Sequence, residues 1–102
     1  MSNTALRANK SVVSNKAKPP TNFAVIMKND DYTPATFVTQ ILIDIFGLSP
    51  TRAEILTETI HTGGIGVAGV YRLEIAEQKA YETLIISGEN EYPLQVILDE
   101  IA

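Results

Sequence analysis

Phe23-Ala24-Val25-Ile26-Met27-Lys28-Asn29-Asp30-Asp31-Tyr32-Thr33-Pro34 is a strand running into a helix through a polar corner. Phe23, Val25 and Met27 alternate with Ala24, Ile26 and Lys28, the period of a largely buried strand. Asn and Asp bond their own backbone in tight turns, which suits Asn29, Asp30 and Asp31 to the corner. Thr33 is placed to be the N-cap of the next helix. Pro34 is then its first residue, where the missing N–H costs nothing.

Working downstream, Phe37, Ile41 and Ile45 fall on one helical stripe with Val38 and Leu42 beside them, and Gly47 ends the helix. Ser49-Pro50 repeats the cap-then-proline start. Ala53, Leu56 and Ile60 share a face of a second helix, which runs through Thr59-Ile60-His61 and is stopped by Gly63-Gly64. Ile65 to Tyr71 reads as a second strand whose alternate positions Gly66, Ala68 and Val70 are small, as a close-packed helix over that face requires. Glu74 to Ile86 is a third helix with Ala76, Ala80, Thr83 and Leu84 inward. Ser87 to Tyr92 is a turn, and Leu94, Val96 and Leu98 form the core face of a last strand. The order β-α-α-β-α-β implies a small sheet covered by helices, an α+β fold.

Upstream, residues 1–20 hold Arg7, Lys10, Lys16 and Lys18 with no acid, one short apolar pair at Val12-Val13, and a closing Pro19-Pro20. Such a segment cannot bury enough surface to offset its ordering entropy, so a flexible N-terminal arm over 1–20 and a folded domain over 21–102 are expected. The remaining residues carry twelve acids against four bases, within a net charge of −4. That acidic body argues against nucleic-acid binding, which depends on clustered Lys and Arg. No apolar run approaches the roughly 18 residues of a membrane helix, and no secretory signal is evident. The absence of cysteine excludes disulfides and thiolate metal sites.

Catalysis finds little to work with. There is one histidine, and no nucleophile-elbow, zinc-protease or phosphate-loop pattern. Asp30-Asp31 could be read as paired carboxylates, but a solvated turn accounts for them more simply. His61 has no second histidine at ligand spacing, so no metal and no cofactor are expected. A binding role suits the residues better. Asn29 offers an amide oxygen, Asp30 a carboxylate, and neutral His61 a ring nitrogen, all acceptors that an α-ammonium with its three N–H donors needs. A lone histidine at a helix end has the competing use of countering the helix dipole.

Asn29-Asp30-Asp31-Tyr32-Thr33-Pro34, Phe37-Val38, His61, Gly69-Val70-Tyr71, Glu74-Ile75-Ala76-Glu77-Gln78-Lys79 and Glu89-Asn90-Glu91-Tyr92-Pro93-Leu94, in this order, resemble the ClpS family. These are adaptors that deliver N-degron substrates to a ClpA-type AAA+ unfoldase of the Clp protease. The resemblance implies three antiparallel strands with three helices, no enzymatic activity, and a bacterial cytoplasmic setting. It implies that Asn29, Asp30 and His61 hold a substrate's α-amino group and that Thr33 meets its first backbone unit. The first side chain (Leu, Phe, Tyr or Trp) would enter a pocket lined by Asp31, Ala35, Val38, Thr57, Ile60 and Leu94. Val38, Ile60 and Leu94 are also core positions by periodicity alone.

Glu74 and Lys79 match family positions that dock the unfoldase, and the N-terminal arm would engage it during delivery. Their simpler reading is a helix-start acid and a solvated lysine. Nothing calls for an obligate dimer, so a monomer is expected. The chain departs from the family at Ala35 and Thr57, where methionine is common. Losing two long, adaptable side chains implies a roomier pocket that takes Trp well and discriminates less against Ile or Val. A purely regulatory module, docking on the unfoldase without using the pocket, is the alternative. A small hydrolase is the weakest reading.

Overall fold

The computed structural model describes residues 21–101, so the expected arm over 1–20 lies outside the described residues. The element order is β1 (Asn22–Lys28), α1 (Ala35–Asp44), α2 (Pro50–Gly63), β2 (Ile65–Arg72), α3 (Leu73–Glu89) and β3 (Gln95–Ile101). The three strands form one antiparallel sheet in the order β2-β1-β3. This is the α+β layout expected from the sequence. The most apolar strand takes the centre, and its Val25 and Met27 are fully buried against Leu42, Ala53 and Ala76 from the three helices.

Local chemistry explains the element boundaries, with some differences from expectation. Ser49 caps α2 as expected, its Oγ accepting from the Arg52 N–H at 3.2 Å, with Pro50 at the first helical position. At α1 the N-cap is Pro34 rather than Thr33, and no side chain caps the helix. The Thr33 hydroxyl donates to Asp30, as described below. The first helix ends at Asp44, and Gly47 follows it with a left-handed φ of 71°. At the other end of α2, Gly64 adopts φ 94° and its N–H donates to Ile60 O at 2.9 Å. A side chain at that φ would be strained, which is why glycine stands there.

Two expectations about which face a residue takes, and one about where a strand begins, need correcting. The β1–β2 register slips between Val25 and Ile26, because Val25 pairs with Gly69 and Ile26 with Val67. Ala68 is therefore a bulge residue, and beyond it the alternation inverts. Gly66 and Ala68 face the core, but Val70 is exposed. On α3 the inner stripe is Ala76, Ala80, Thr83 and Ser87, and Leu84 is 45% exposed. Thr83 and Ser87 are tolerated inside because their hydroxyls bond back to Lys79 O and Thr83 O at 2.8 and 2.7 Å. Leu94 is buried but precedes β3.

Gly66 shows why small residues occupy β2. A Cβ there would lie 2.7 Å from Ile60 Cγ1 and 2.9 Å from Leu56 Cδ1, so the backbone of β2 touches the side chains of α2. Gly66→Ala should lower stability by about 1–3 kcal/mol through overpacking. Gly88→Ala, on α3 with open space where its methyl would go, should raise stability by about 0.5–1 kcal/mol. Urea or thermal unfolding reads both, and equal effects would contradict the close approach of α2 to β2.

Candidate functional site

The corner after β1 is held from two sides. The Asn29 N–H donates to Gly64 O at 2.8 Å, one step beyond the last β1–β2 pair, Lys28 with Ile65. This fastens the corner to the end of α2, whose last turn carries His61. From its other side the corner is organised by Asp30. Its Oδ1 accepts from the N–H groups of Tyr32 and Thr33 at 2.8 and 2.7 Å, and its Oδ2 accepts from Thr33 Oγ1 at 2.7 Å.

These bonds fix the corner's electrostatics. Partial burial alone would raise the Asp30 pKa, but the Thr33 hydroxyl and the two backbone N–H groups favour the carboxylate and leave it below the ordinary value. A carboxylate has about four acceptor positions. Asp30 uses three, leaving one on Oδ2. Thr33 has given its only proton to Asp30, so its oxygen faces any further partner as an acceptor. Asn29 adds an amide oxygen, and His61, exposed on α2, a ring nitrogen when neutral.

Beside these acceptors is a hollow of about 200 Å³ lined by Asn29, Asp30, Asp31, Thr33, Ala35, Val38, Thr57, Ile60 and His61. Nine of the ten residues assigned to the amino-group site and the side-chain pocket therefore meet in one place. Leu94 is the exception. It does not line the hollow and belongs to the core cluster with Val38 and Ile60. Val38 and Ile60 serve both core and hollow, so the two readings of those residues do not compete.

Thr57 is buried, and its hydroxyl lies 2.8 Å from Ala53 O and 2.7 Å from Thr39 Oγ1. The sequence analysis did not pair this threonine with Thr39. The two are eighteen positions apart on different helices, beyond the reach of any periodicity.

Glu74 and Lys79 are not at this site. Glu74 is exposed in the first turn of α3. Lys79 is not simply solvated: its Nζ donates to Ile45 O at 2.8 Å, at the end of α1, and lies 5.5 and 6.0 Å from the ring centroids of Tyr71 and Phe46. A second, wider hollow of about 570 Å³ opens beside those rings, between α2 and β2. Among the described residues no group of three His, Cys, Asp or Glu is placed to hold a metal ion. No described helix is long and apolar enough to cross a membrane.

The family model described as "ATP-dependent Clp protease adaptor protein ClpS" matches residues 18–97. The chain belongs to the ClpS family. The ClpS adapter of Clostridium acetobutylicum is 41% identical over 86 residues, covering 84% of this chain and 85% of that one. That of Treponema denticola is 37% identical over 90 residues, covering 88% and 89%. The solved structure of Agrobacterium tumefaciens ClpS2 bound to L-phenylalaninamide superposes with a TM-score of 0.78 at 34% identity, covering 81% of this chain and 100% of the other. Membership makes this chain an adaptor of the ATP-dependent Clp protease.

The lowered Asp30 pKa carries a sign. A depressed carboxylate contributes stability that is present above its unfolded-state pKa, about 3.9, and lost as pH falls through the lower folded value. Asp30→Asn should therefore destabilise the ClpS fold at neutral pH by a few tenths to about 1 kcal/mol, the scale of a solvent-screened turn interaction. The gap from the unsubstituted chain should close in acid. Chemical denaturation at about pH 7 and about pH 2.5 measures it, and a gap that widened in acid would contradict the assignment.

Proposed function

We propose that this adaptor captures proteins by a free N-terminus bearing a bulky hydrophobic first residue and passes them to a ClpA-type AAA+ unfoldase. The observation that carries the reading is the meeting of four acceptor-bearing residues, Asn29, Asp30, Thr33 and His61, with an adjoining hollow walled by Ala35, Val38, Thr57 and Ile60. An α-ammonium supplies three donors and a positive charge to a cluster offering acceptors and a carboxylate. A side chain entering the hollow gains about 1.5–3 kcal/mol if fully buried.

L-phenylalaninamide, the molecule in the Agrobacterium tumefaciens ClpS2 structure, has a free α-amine, a benzyl side chain and an amide where the next peptide bond would be. It is the smallest imitation of a protein beginning with phenylalanine. Transferred to this chain, the amine meets Asn29, Asp30 and His61, the first amide meets Thr33, and the ring enters the hollow. Glu74, exposed at the start of α3, and the nearby Lys79 face the unfoldase. Lys79 spends one of its three donors on Ile45 O and keeps two for a partner. Selection of Leu, Phe, Tyr or Trp follows from burial, and the adaptor acts as a monomer in the bacterial cytoplasm without catalysing a reaction.

A fluorescent peptide beginning with Phe should bind, and its Nα-acetylated form should lose at least about tenfold in affinity, since charge-assisted bonds are worth roughly 1.5–3 kcal/mol. Asn29→Ala should abolish delivery in a reconstituted degradation assay. Delivery that survives this change would favour a regulatory adaptor that docks without using the pocket. Equal binding of the acetylated peptide would refute the reading outright.

A second expectation concerns His61, whose ring nitrogen is an acceptor that alanine lacks. His61→Ala should weaken binding of the free-amine peptide by about three- to tenfold, the size of one net hydrogen bond, and leave the weaker binding of the Nα-acetylated peptide nearly unchanged, both read by fluorescence anisotropy. Equal changes for the two peptides would remove His61 from the amine site.

A further inference from the structure

We propose that Thr39, which does not line the hollow, is a positioning residue that sets its width through Thr57. The inference rests on the binding reading above. A single string of polar contacts runs from one wall to the other. Thr39 Oγ1 lies 3.1 Å from Ala35 O, Thr39 Oγ1 and Thr57 Oγ1 are 2.7 Å apart, and Thr57 Oγ1 lies 2.8 Å from Ala53 O. Both ends of the string are residues of the helices that wall the hollow, and Ala35 and Thr57 are themselves lining residues.

Each threonine has one hydroxyl proton, so only two of the three contacts are hydrogen bonds at a time, and two oxygens 2.7 Å apart need a proton between them. Either Thr39 donates to Thr57 and Thr57 to Ala53 O, or Thr57 donates to Thr39 and Thr39 to Ala35 O. The shorter contact to Ala53 O favours the first arrangement. In both, the bond between the helices exists and neither hydroxyl proton is left over. Thr57 is β-branched and therefore stiff at χ1, so the bond to Thr39 fixes its rotamer as well as the spacing of α1 and α2.

The consequence for recognition follows from size. Ala35 is one methyl and Thr57 a short side chain. With so little side-chain bulk at this wall, the spacing of the helices sets the room available. The Thr39–Thr57 bond holds that spacing one helical turn beyond Ala35. A wide first side chain such as an indole depends on the spacing, whereas a leucine does not fill it.

Thr39→Val keeps the shape and removes the hydroxyl. Thr57 still donates to Ala53 O, so no buried donor is orphaned and only the link between the helices is lost. By fluorescence anisotropy, the affinity of a Trp-initiated peptide should fall on the order of three- to tenfold in this variant, the size of one net hydrogen bond. A Leu-initiated peptide should change less than about twofold, and Thr39→Ser should restore the original ratio. An equal shift for both peptides, no shift for either, or a serine variant that behaves like valine would overturn the role of Thr39 while leaving the binding reading intact. If the unsubstituted protein captures neither peptide, the binding reading itself falls, and this inference with it.

Discussion

The hydrogen bond from the Asn29 N–H to Gly64 O holds the candidate site together. Asn29 and His61 are 32 positions apart and belong to the ends of different elements. This bond extends the β1–β2 pairing by one step and brings the corner after β1 against the C-terminal end of α2. It requires α2 to stop abruptly, which the left-handed Gly64 allows at no steric cost. It also requires β2 to approach α2 closely, which Gly66 allows by having no side chain to meet Ile60 and Leu56. Two glycines in three positions thus belong to one device, and the acceptor-rich corner and the hollow are its result.

Much of this was legible in the sequence because it depends on local chemistry. The element order, the Ser49-Pro50 start of α2 and the glycine stop at its end each follow from a few adjacent residues. What was not legible depends on pairing between distant segments. Alternation placed Val70 inside, yet the bulge at Ala68 turns it outward, and nothing local in Ile65 to Tyr71 marks where the extra residue falls. Helical periodicity offered Leu84 as an inner residue. The structure uses Ser87 instead, because a stripe of small residues lets α3 lie close on the sheet and both buried hydroxyls can bond within the helix.

The site divides in the same way. The sequence and the family resemblance together offered Asn29, Asp30, Thr33 and His61, which the structure brings to one hollow, but the work Asp30 does within the chain was not legible. It was read as an acceptor for a ligand, and it is first the hub of its own turn, taking three bonds from Tyr32 and Thr33. Thr33 does not cap α1 because the helix starts one residue later than expected, with Pro34 at the N-cap position. Leu94 was assigned to the pocket by position in the family pattern, and in this chain it contributes to the core beneath. Thr39 escaped notice because its importance lies wholly in a contact with a residue of another helix.

On the proposed reading the two halves of the site have different physical tasks, and neither suffices alone. Apolar burial in the hollow is non-directional and cannot distinguish a terminal phenylalanine from an internal one. The acceptors supply that distinction. An internal residue presents a single backbone N–H, whereas a terminus presents three donors and a charge, the complement that the proposal assigns to Asn29, Asp30 and His61. These acceptors are largely open to water, with Asn29 and His61 exposed, and exposed charge interactions are individually weak. On that reading both halves add affinity, and selectivity for a chain end comes from the corner alone. The proposed release of a bound N-terminus is served by this division, since the side chain can leave a hollow that opens on the surface without rearrangement of the fold that holds it.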